Sequence, residues 1–414
     1  MNIQQADVKD SLNLTQKIID ACGPRLTGTP ETRKSAGMIG DELGKSCDNT
    51  AVEEFDVHPG AFLGFLKIST VLYCISTVFL FFDFVLIAAA GYLLGGIIAL
   101  SQFIFYWELF DPFYKKMKGY NVTGTIEPEG EVRQQIILSG HHDSAYEFRY
   151  FTHMPHLYRI RAFIYIFSLI VPMLMTLAWA VCRFGFAIEP FYTDILRYAA
   201  MILVPLAIPM YFYTGRKGTP GAGDNLIASA MVVKLAEIFR KAKAEGEGMK
   251  HTRLIFLSVD AEEAGLRGSR AYVRRHRQEF VSIPTFNFNM DSIYMVDRIK
   301  FCISDINGMV RLSRDMAEEC RSLAAELGYD SEFFAIYPGV GGTDAAEFAK
   351  AGVEATTLIA MPTDIEKETV VYHTQNDTVE HIEPEAVEAV LAIAMSYVNK
   401  KEHDSCKELN REKQ

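Results

Sequence analysis

The sequence lacks the features that mark nucleic-acid-binding, disulfide-stabilised and secreted proteins. Its 414 residues have a formal net charge of -11 and no clustered basic face for phosphates. The seven cysteines are scattered, and no C-x-x-C spacing indicates a structural zinc site or a redox motif. The N-terminus has no basic region followed by an apolar core, so we expect no signal peptide. These absences argue against a general nucleic-acid binder and favour a cytosol-facing protein with reduced thiols.

Four long apolar segments stand out against this acidic background. They are, in chain order, residues 61–82, 84–107, 162–182 and 198–214. The first has one charge, Lys67, and the last is short and carries Pro205 and Pro209. About 20 apolar residues cross a bilayer as a helix, so we predict two transmembrane hairpins, at 61–107 and 159–214.

Each hairpin leaves and returns on one side, so the rest of the chain shares one compartment. The bases beside the spans on that side are Lys115, Lys116, Lys118, Arg159, Arg161, Arg216 and Lys217. The hairpin turns offer only Arg183 against them. The positive-inside rule therefore predicts an integral membrane protein, partnered by the lipid bilayer, with a cytoplasmic soluble domain. Burial in a large soluble core, or a hydrophobic surface for oligomerisation, is the alternative role of these segments.

The remaining residues, 1–60, 108–158 and 215–400, read as one α/β domain. Helical spacing occurs at 11–22, 31–47, 224–245, 309–327 and 383–400, and apolar strand-like runs at 51–59, 121–128, 134–140, 252–260, 286–291 and 355–360. The alternation predicts a mixed, mostly parallel sheet covered on both faces. The charged tail 401–414 is expected to be disordered.

Polar side chains follow the buried strands of this domain. His141 and Asp143 come after IILSG, Glu262 and Glu263 after LIFLSV, and Asp291 ends FNFNM. Carboxyl ends of parallel strands border a crevice where functional residues collect. Imidazole and carboxylate groups gathered there suit a pair of divalent cations, with Asp143 behind His141 to fix its ring.

Two further residues complete the set, although each also has an ordinary interpretation. Asp224, in GAGDN, is a bridging ligand or a helix N-cap. His373, in YHTQND, is a ligand or a structural histidine, and Asp377 is placed to orient its loop or its ring. Adjacent glutamates are common on surfaces, and Asp291 is explained equally by a salt bridge.

The motifs HHDS, GAGDN, DAEEAGLRGS, NMDS and YHTQNDT, in this order, resemble the co-catalytic di-zinc exopeptidase superfamily of leucyl aminopeptidases, glutamate carboxypeptidases and glutaminyl cyclases. The opening CGPRLTGTPETRKSAGMIGDEL and the later GGTDAAEFAKAGVEATTLI are also similar to that family. The resemblance covers nearly all of the soluble chain but not the hairpins. It implies a three-layer zinc-exopeptidase domain, two zinc ions per chain or another divalent metal, and a peptide substrate.

Carried over by position, the resemblance implies one zinc on His141 and Asp291, another on Glu263 and His373, and Asp224 between both. Glu262 matches the general base, which takes a proton from the attacking water and returns it to the leaving amine. Asp143 matches the carboxylate behind His141. Tyr372, beside a ligand, is a candidate hydrogen-bond donor to the developing oxyanion.

Two departures from the family pattern concern the segment before Asp224. The preceding position, often acidic or Asn in this family, is Gly223, and the second hairpin enlarges the interval from His141. The resemblance favours an aminopeptidase. A carboxypeptidase, an aminoacyl cyclase and a non-catalytic membrane receptor or assembly protein are the alternatives, whereas a transporter is disfavoured because the spans contain almost no charge.

Overall fold

The computed structural model describes residues 3–363 and 371–412. Its α-helices are α1 Gln5–Cys22, α2 Pro30–Leu43, α3 Ala61–Phe81, α4 Val85–Ala99, α5 Arg149–His153, α6 Tyr158–Phe186, α7 Thr193–Ala207, α8 Ile227–Ala244, α9 Arg267–Ser282, α10 Arg314–Glu326, α11 Ala345–Lys350 and α12 Pro384–Glu412. Its strands are β1 Asn49–Val57, β2 Met117–Ile126, β3 Gln134–His141, β4 Tyr146–Phe148, β5 Thr214–Gly218, β6 Thr252–Val259, β7 Thr285–Ile293, β8 Ile299–Asp305, β9 Val310–Arg311, β10 Glu332–Ala335 and β11 Glu354–Ala360.

A nine-stranded mixed sheet forms the middle layer of the α/β domain. The strand order is β1-β2-β6-β3-β7-β11-β8-β10, with β9 beside β8. The four strands β6, β3, β7 and β11 are parallel to one another, whereas β1, β2 and β8 join antiparallel neighbours. The predicted mixed, mostly parallel sheet is confirmed.

Helices cover both faces of this sheet, as the near-continuous apolar strands require. On β3, Ile136 and Leu138 pack into a core with α1, α2, α8, α10 and α12. Ile137, between them, points to the opposite core, which includes Tyr272 of α9 and Phe348 of α11. The architecture is therefore three-layered, as predicted.

The four apolar segments form helices that pack into one bundle. Helices α3 and α4 make the first hairpin and α6 and α7 the second, with buried Tyr73 and Trp179 among the side chains between them. A π-helical turn, Leu100–Ile104, extends α4, and a 3-10 turn, Ile208–Phe212, follows α7 at Pro209. All four are long and apolar enough to span a membrane by length and composition.

The strands β4 and β5 flank the second hairpin and pair antiparallel with each other. The chain thus leaves the α/β domain after Phe148 and returns to it at Thr214, which lies opposite Phe148 in this ladder. This pairing brings the two ends of the inserted hairpin together. His141 and Asp224 can therefore lie in one site although the insertion separates them in the chain.

Three sequence expectations are corrected. The tail is not disordered as far as it is described, because α12 continues to Glu412. The helix expected at 309–327 begins at Arg314, because the Ser313 hydroxyl caps it by accepting from the Met316 amide and β9 precedes it. The turn end of the hairpins holds a second base, Arg197, which binds Asp83 together with Arg183. The end of the bundle next to the α/β domain therefore has seven bases beside it, and the turn end has two.

Candidate metal centre

The predicted site residues converge at the carboxyl edge of the parallel strands. His141 ends β3, Asp291 lies near the end of β7, and Glu262 and Glu263 occupy the loop after β6. His373 lies in the segment after β11. Asp224 approaches from the π-helical turn Ala222–Leu226 that opens α8.

One half of the cluster surrounds the Nε2 atom of His141. This atom lies 3.4 Å from Oδ1 of Asp224 and 3.9 Å from Oδ1 of Asp291. The Glu262 carboxylate is also 3.9 Å away, through Oε2. The Ser292 hydroxyl donates to Asp291 at 3.0 Å and so fixes that carboxylate.

The other half surrounds the Nε2 atom of His373. This atom lies 2.9 Å from Oδ2 of Asp224 and 3.0 Å from Oε1 of Glu263. The two oxygens of Asp224 therefore face different histidines. That is the arrangement expected of a carboxylate that bridges two cations.

Asp143 lies behind the first half and connects it to the glutamate loop. Its Oδ1 is 3.3 Å from Nδ1 of His141, and it accepts the backbone N–H groups of Glu262 and Glu263 at 3.2 Å each. The Thr27 hydroxyl donates to its other oxygen at 2.9 Å. One carboxylate thus orients the imidazole, as the sequence indicated, and also the two glutamates, which the sequence did not indicate.

The loop that carries Asp224 is held from below. Asp377 accepts the N–H groups of Gly223 at 2.8 Å and Asp224 at 3.3 Å, so it orients this loop. A side chain at Gly223 would overlap the Tyr294 ring. The departure from the family pattern at Gly223 therefore has a steric cause.

Arg25 is a fully buried cation that binds no carboxylate among the described residues. Its guanidinium donates to the carbonyl oxygens of His142, Pro220 and Gly221 at 2.8 Å each, and of Gly23 at 3.1 Å. Burial lowers its pKa to about 10. Arg25 fastens the segment after β3 to the segment before Asp224.

The electrostatics of the cluster call for additional positive charge. Burial, and then the neighbouring carboxylates, raise the pKa of Asp291 to about 8 and also raise the pKa values of Glu262 and Glu263. Burial alone would lower the pKa of His373, but Glu263 and Asp224 outweigh it and raise that pKa to about 10. Buried carboxylates are costly without a cation, and bound divalent ions supply one.

The donor atoms fit a pair of divalent cations. Two sets, His141 with Glu262 and Asp291, and His141 with Asp224 and Glu263, each offer donor atoms within 4.8 Å of one another. Among the described residues, no hydrogen bond satisfies His141 Nε2, Asp224 Oδ2, Glu263 Oε1 or His373 Nε2. Buried polar atoms normally have partners, so these converging atoms indicate a ligand. Nitrogen and carboxylate donors in this number suit zinc.

Tyr372 lies over the cluster rather than within it. Its ring stacks on the His373 ring, with centroids 3.8 Å apart and an interplanar angle of 15°. Tyr372 lines the same cavity as Glu262, Glu263 and His373. This position is compatible with a hydrogen bond to the oxyanion, and that role stays a prediction.

Sequence reasoning missed several residues that the fold brings to the site. Asp344 is fully buried, its carboxylate oxygens accept no hydrogen bond from the described residues, and burial raises its pKa to about 7. The negative charge of Asp344 contributes to the raised pKa of Glu262, after burial and two other carboxylates. Arg25 and Thr27 lie in CGPRLTG, and Asp344 lies in GGTDAAEF. Both stretches resemble the family in sequence, but the resemblance gave no role to any single residue in them.

Comparisons with known proteins agree with this geometry. Residues 208–398 match the model of Peptidase family M28. Aminopeptidase YwaD from Bacillus subtilis (strain 168) is 26% identical over 172 residues, which are 41% of this chain and 35% of that protein. The match thus spans about a third of that relative's length.

Solved structures match over nearly the whole chain. BSAP, a zinc aminopeptidase from Bacillus subtilis, aligns with a TM-score of 0.55 at 16% identity and covers 95% of this chain and 94% of its own. A glutaminyl cyclase from Bacteroides thetaiotaomicron aligns with a TM-score of 0.55 at 13% identity, covering 95% and 97%. At these identities the likeness shows a shared fold.

Proposed function

We propose that this chain is a membrane-bound di-zinc aminopeptidase of the co-catalytic zinc exopeptidase superfamily, with the family match over residues 208–398 and the shared fold as support. The two-sided position of Asp224 between His141 and His373 carries the proposal. The peptidase domain comprises residues 1–60, 108–158 and 215–400.

The five ligands divide between two metal positions. His141 and Asp291 would hold one cation, Glu263 and His373 would hold the other, and Asp224 would contribute to both positions. Bound zinc acidifies water and polarises the scissile carbonyl. The distances of 2.9 Å and 3.0 Å from His373 Nε2 support the second position.

Glu262 is the general base in this proposal. Its backbone N–H is held by Asp143, and its carboxylate reaches the His141 side of the cluster. It accepts a proton from the attacking water and passes it to the leaving amine. Asp143 contacts Glu262, Glu263 and His141, so a single carboxylate fixes the positions of the base and two ligands relative to one another.

The bundle supports a membrane location. Only 22% to 44% of the residues in the most apolar 18-residue stretch of each helix are buried, which is less than the interior of a soluble core requires. The excess of bases at the end shared with the α/β domain supports a cytoplasmic active site. Self-association through the exposed faces is the competing explanation.

The test measures metal content and cleavage of unblocked, N-blocked and N-terminal glutaminyl peptides by detergent-purified protein beside its Glu262→Gln variant. We expect two zinc ions per chain in both proteins, cleavage of unblocked peptides, and a loss of about 10²–10⁴-fold in kcat for the variant. Metal-free inactive protein overturns the proposal in favour of the receptor, and cyclisation of glutaminyl peptides overturns it in favour of a cyclase.

Tyr372→Phe tests the oxyanion role separately. If its hydroxyl donates a hydrogen bond in the transition state, kcat falls by about 10–100-fold while KM and metal content stay constant. Unchanged kcat/KM would leave Tyr372 with a packing role only.

A further inference from the structure

Two cavities, one largely apolar and one of mixed polarity, meet at Glu263. The larger, of about 510 Å³, lies between the bundle and the α/β domain, and Glu262, Glu263 and His373 form part of its wall. The smaller, of about 300 Å³, lies between α3 and β5 and also reaches Glu263. Leu63 lines both. Any substrate at the metal centre therefore has access to both spaces.

The larger cavity is apolar almost throughout. Its walls include Leu66 of α3, Ala99 of α4, Phe103 of the π-helical turn, and Ala162, Leu169 and Met173 of α6. A cavity of about 150 Å³ holds a benzene ring, so one amino-acid side chain fills only a fraction of this space. An extended hydrocarbon chain suits its size and lining.

The wall of the smaller cavity includes two exposed cations, Lys67 and Arg216. Neither makes an ion pair or hydrogen bond within residues 3–363 and 371–412. Lys67 is also the one charge in α3. Two uncompensated cations at the mouth of an apolar helical bundle favour an anionic group on the ligand.

We propose that this site also hydrolyses long-chain N-acyl amino acids. The acyl chain occupies the apolar cavity, the amide lies at the metal centre, and the amino-acid carboxylate faces Lys67 and Arg216. Water adds to the acyl carbon, the carbon–nitrogen bond breaks, and the products are a fatty carboxylate and an amino acid with its ammonium group. The inference rests on the proposed metal centre and base, and goes beyond cleavage of peptides.

The orientation follows from charge. The reverse placement puts a carboxylate into an apolar cavity that has no lysine or arginine among its described lining residues. A peptide ammonium group in the same cavity is likewise poorly solvated. A neutral hydrocarbon chain meets neither cost, and each buried methylene improves binding by about fourfold.

The first experiment uses N-butanoyl-, N-octanoyl-, N-dodecanoyl- and N-hexadecanoylglycine with the zinc-loaded full chain in detergent. We expect kcat/KM to rise with chain length until the cavity is filled. Ala162→Trp, which fills part of the cavity, should lower kcat/KM for the dodecanoyl substrate at least tenfold more than for the butanoyl substrate. Ala178→Trp, on the exposed side of the same helix, is the matched control and should leave the series unchanged.

The second experiment compares N-dodecanoylglycine with its uncharged glycinamide counterpart. Lys67→Gln with Arg216→Gln should reduce the preference for the glycine compound about tenfold through KM. Lys217→Gln changes a neighbour that is equally exposed but lies outside the cavity wall, and it should keep the preference.

The outcomes separate this inference from the proposed function. Chain-length-dependent cleavage that Ala162→Trp flattens supports the inference. Cleavage of unblocked peptides without cleavage of any acylglycine overturns the inference and leaves the aminopeptidase. Failure of the zinc-loaded protein on both substrate classes overturns the aminopeptidase proposal, and the inference with it.

Discussion

The α/β domain and the helical bundle treat apolar side chains in opposite ways. In the sheet, Leu138 and Phe256 are fully buried, with helices over both faces. In the bundle, Phe163 and Ile202 are 65% and 69% exposed. Exposing apolar surface to water costs about 25 cal/mol of free energy per Å². The two regions are therefore adapted to different surroundings. The described bundle faces require an apolar medium or a partner surface.

A buried ionic joint connects these two regions. Arg267, which begins α9 just after the glutamate loop, donates to Asp111 at 2.9 Å and 3.1 Å. It also donates to the carbonyl oxygens of Tyr106 and Trp107, which follow the first hairpin, at 2.9 Å and 3.1 Å. The position of Glu262 and Glu263 therefore depends on how the bundle is seated.

The largest effect is expected from breaking this joint. Arg267→Met leaves Asp111 buried without its cation, and such a loss costs about 3–5 kcal/mol. We expect the free energy of unfolding in detergent to fall by that amount and peptidase activity to fall with it. Adding Asp111→Asn should recover part of the loss in a double-mutant cycle.

Arg274→Met is the control for that prediction. Arg274 lies on the same helix but is 66% exposed, and it pairs with Glu108 at 2.8 Å. An exposed pair contributes about 0–1 kcal/mol. Equal losses from Arg267→Met and Arg274→Met would show that the buried joint does not hold the two regions together.

Introducing one lysine on each region tests whether the bundle and the α/β domain have different surroundings. Ile202 is 69% exposed in the middle of α7, and Val281 is 79% exposed on α9 of the α/β domain. If the bundle lies in a bilayer, Ile202→Lys costs about 2.5–3.5 kcal/mol. Val281→Lys should stay within about 0.5 kcal/mol of wild type. Thermal unfolding in proteoliposomes measures both, and a neutral Ile202→Lys would contradict a lipid-facing α7.

The smallest effect concerns an ion pair confined to the α/β domain. His276 of α9 bonds to Glu53 of β1 at 2.8 Å and lies 3.5 Å from Glu279. The hydrogen bond to Glu53 and the nearby carboxylates raise its pKa, so the protonated form stabilises the fold. That contribution is complete below about pH 6.5 and is lost as pH rises through the raised folded pKa.

We therefore expect wild type to lose about 0.2–1 kcal/mol across that interval and His276→Gln to lose less. Chemical denaturation at pH 6 and pH 9 measures the difference. Among the described residues, Arg267 bonds to no histidine, so the contact between Arg267 and the bundle should show no matching loss of stability. An identical pH slope in His276→Gln would rule out this histidine as its cause.

Much of the fold was predictable because buried strands and apolar helices have distinct periods. The strands β3, β6, β7 and β11 begin and end within about two residues of their predicted positions. The prediction did not identify β8, β10 and α9. Helix α9 is polar overall and is rich in arginine, so its core-facing side is hard to see in the sequence.

The site was predictable as a set of residues, because metal ligands must be histidines and carboxylates at strand ends. The eight predicted site residues all lie in or beside one cluster, yet their individual roles stay predictions. The supporting contacts were not predictable. Asp143 accepts from Thr27, 116 positions away, and Arg25 binds the carbonyl oxygen of Gly221, 196 positions away.

The α/β class, the two apolar hairpins and the candidate ligands could be read from the sequence alone, because these follow from local periodicity, hydrophobic length and residue chemistry. Only the tertiary structure decided that the bundle and the α/β domain share Arg267 and enclose an apolar cavity ending at Glu262 and Glu263. Such features depend on contacts between segments far apart in the chain. Their partners are set by packing, which no local pattern encodes.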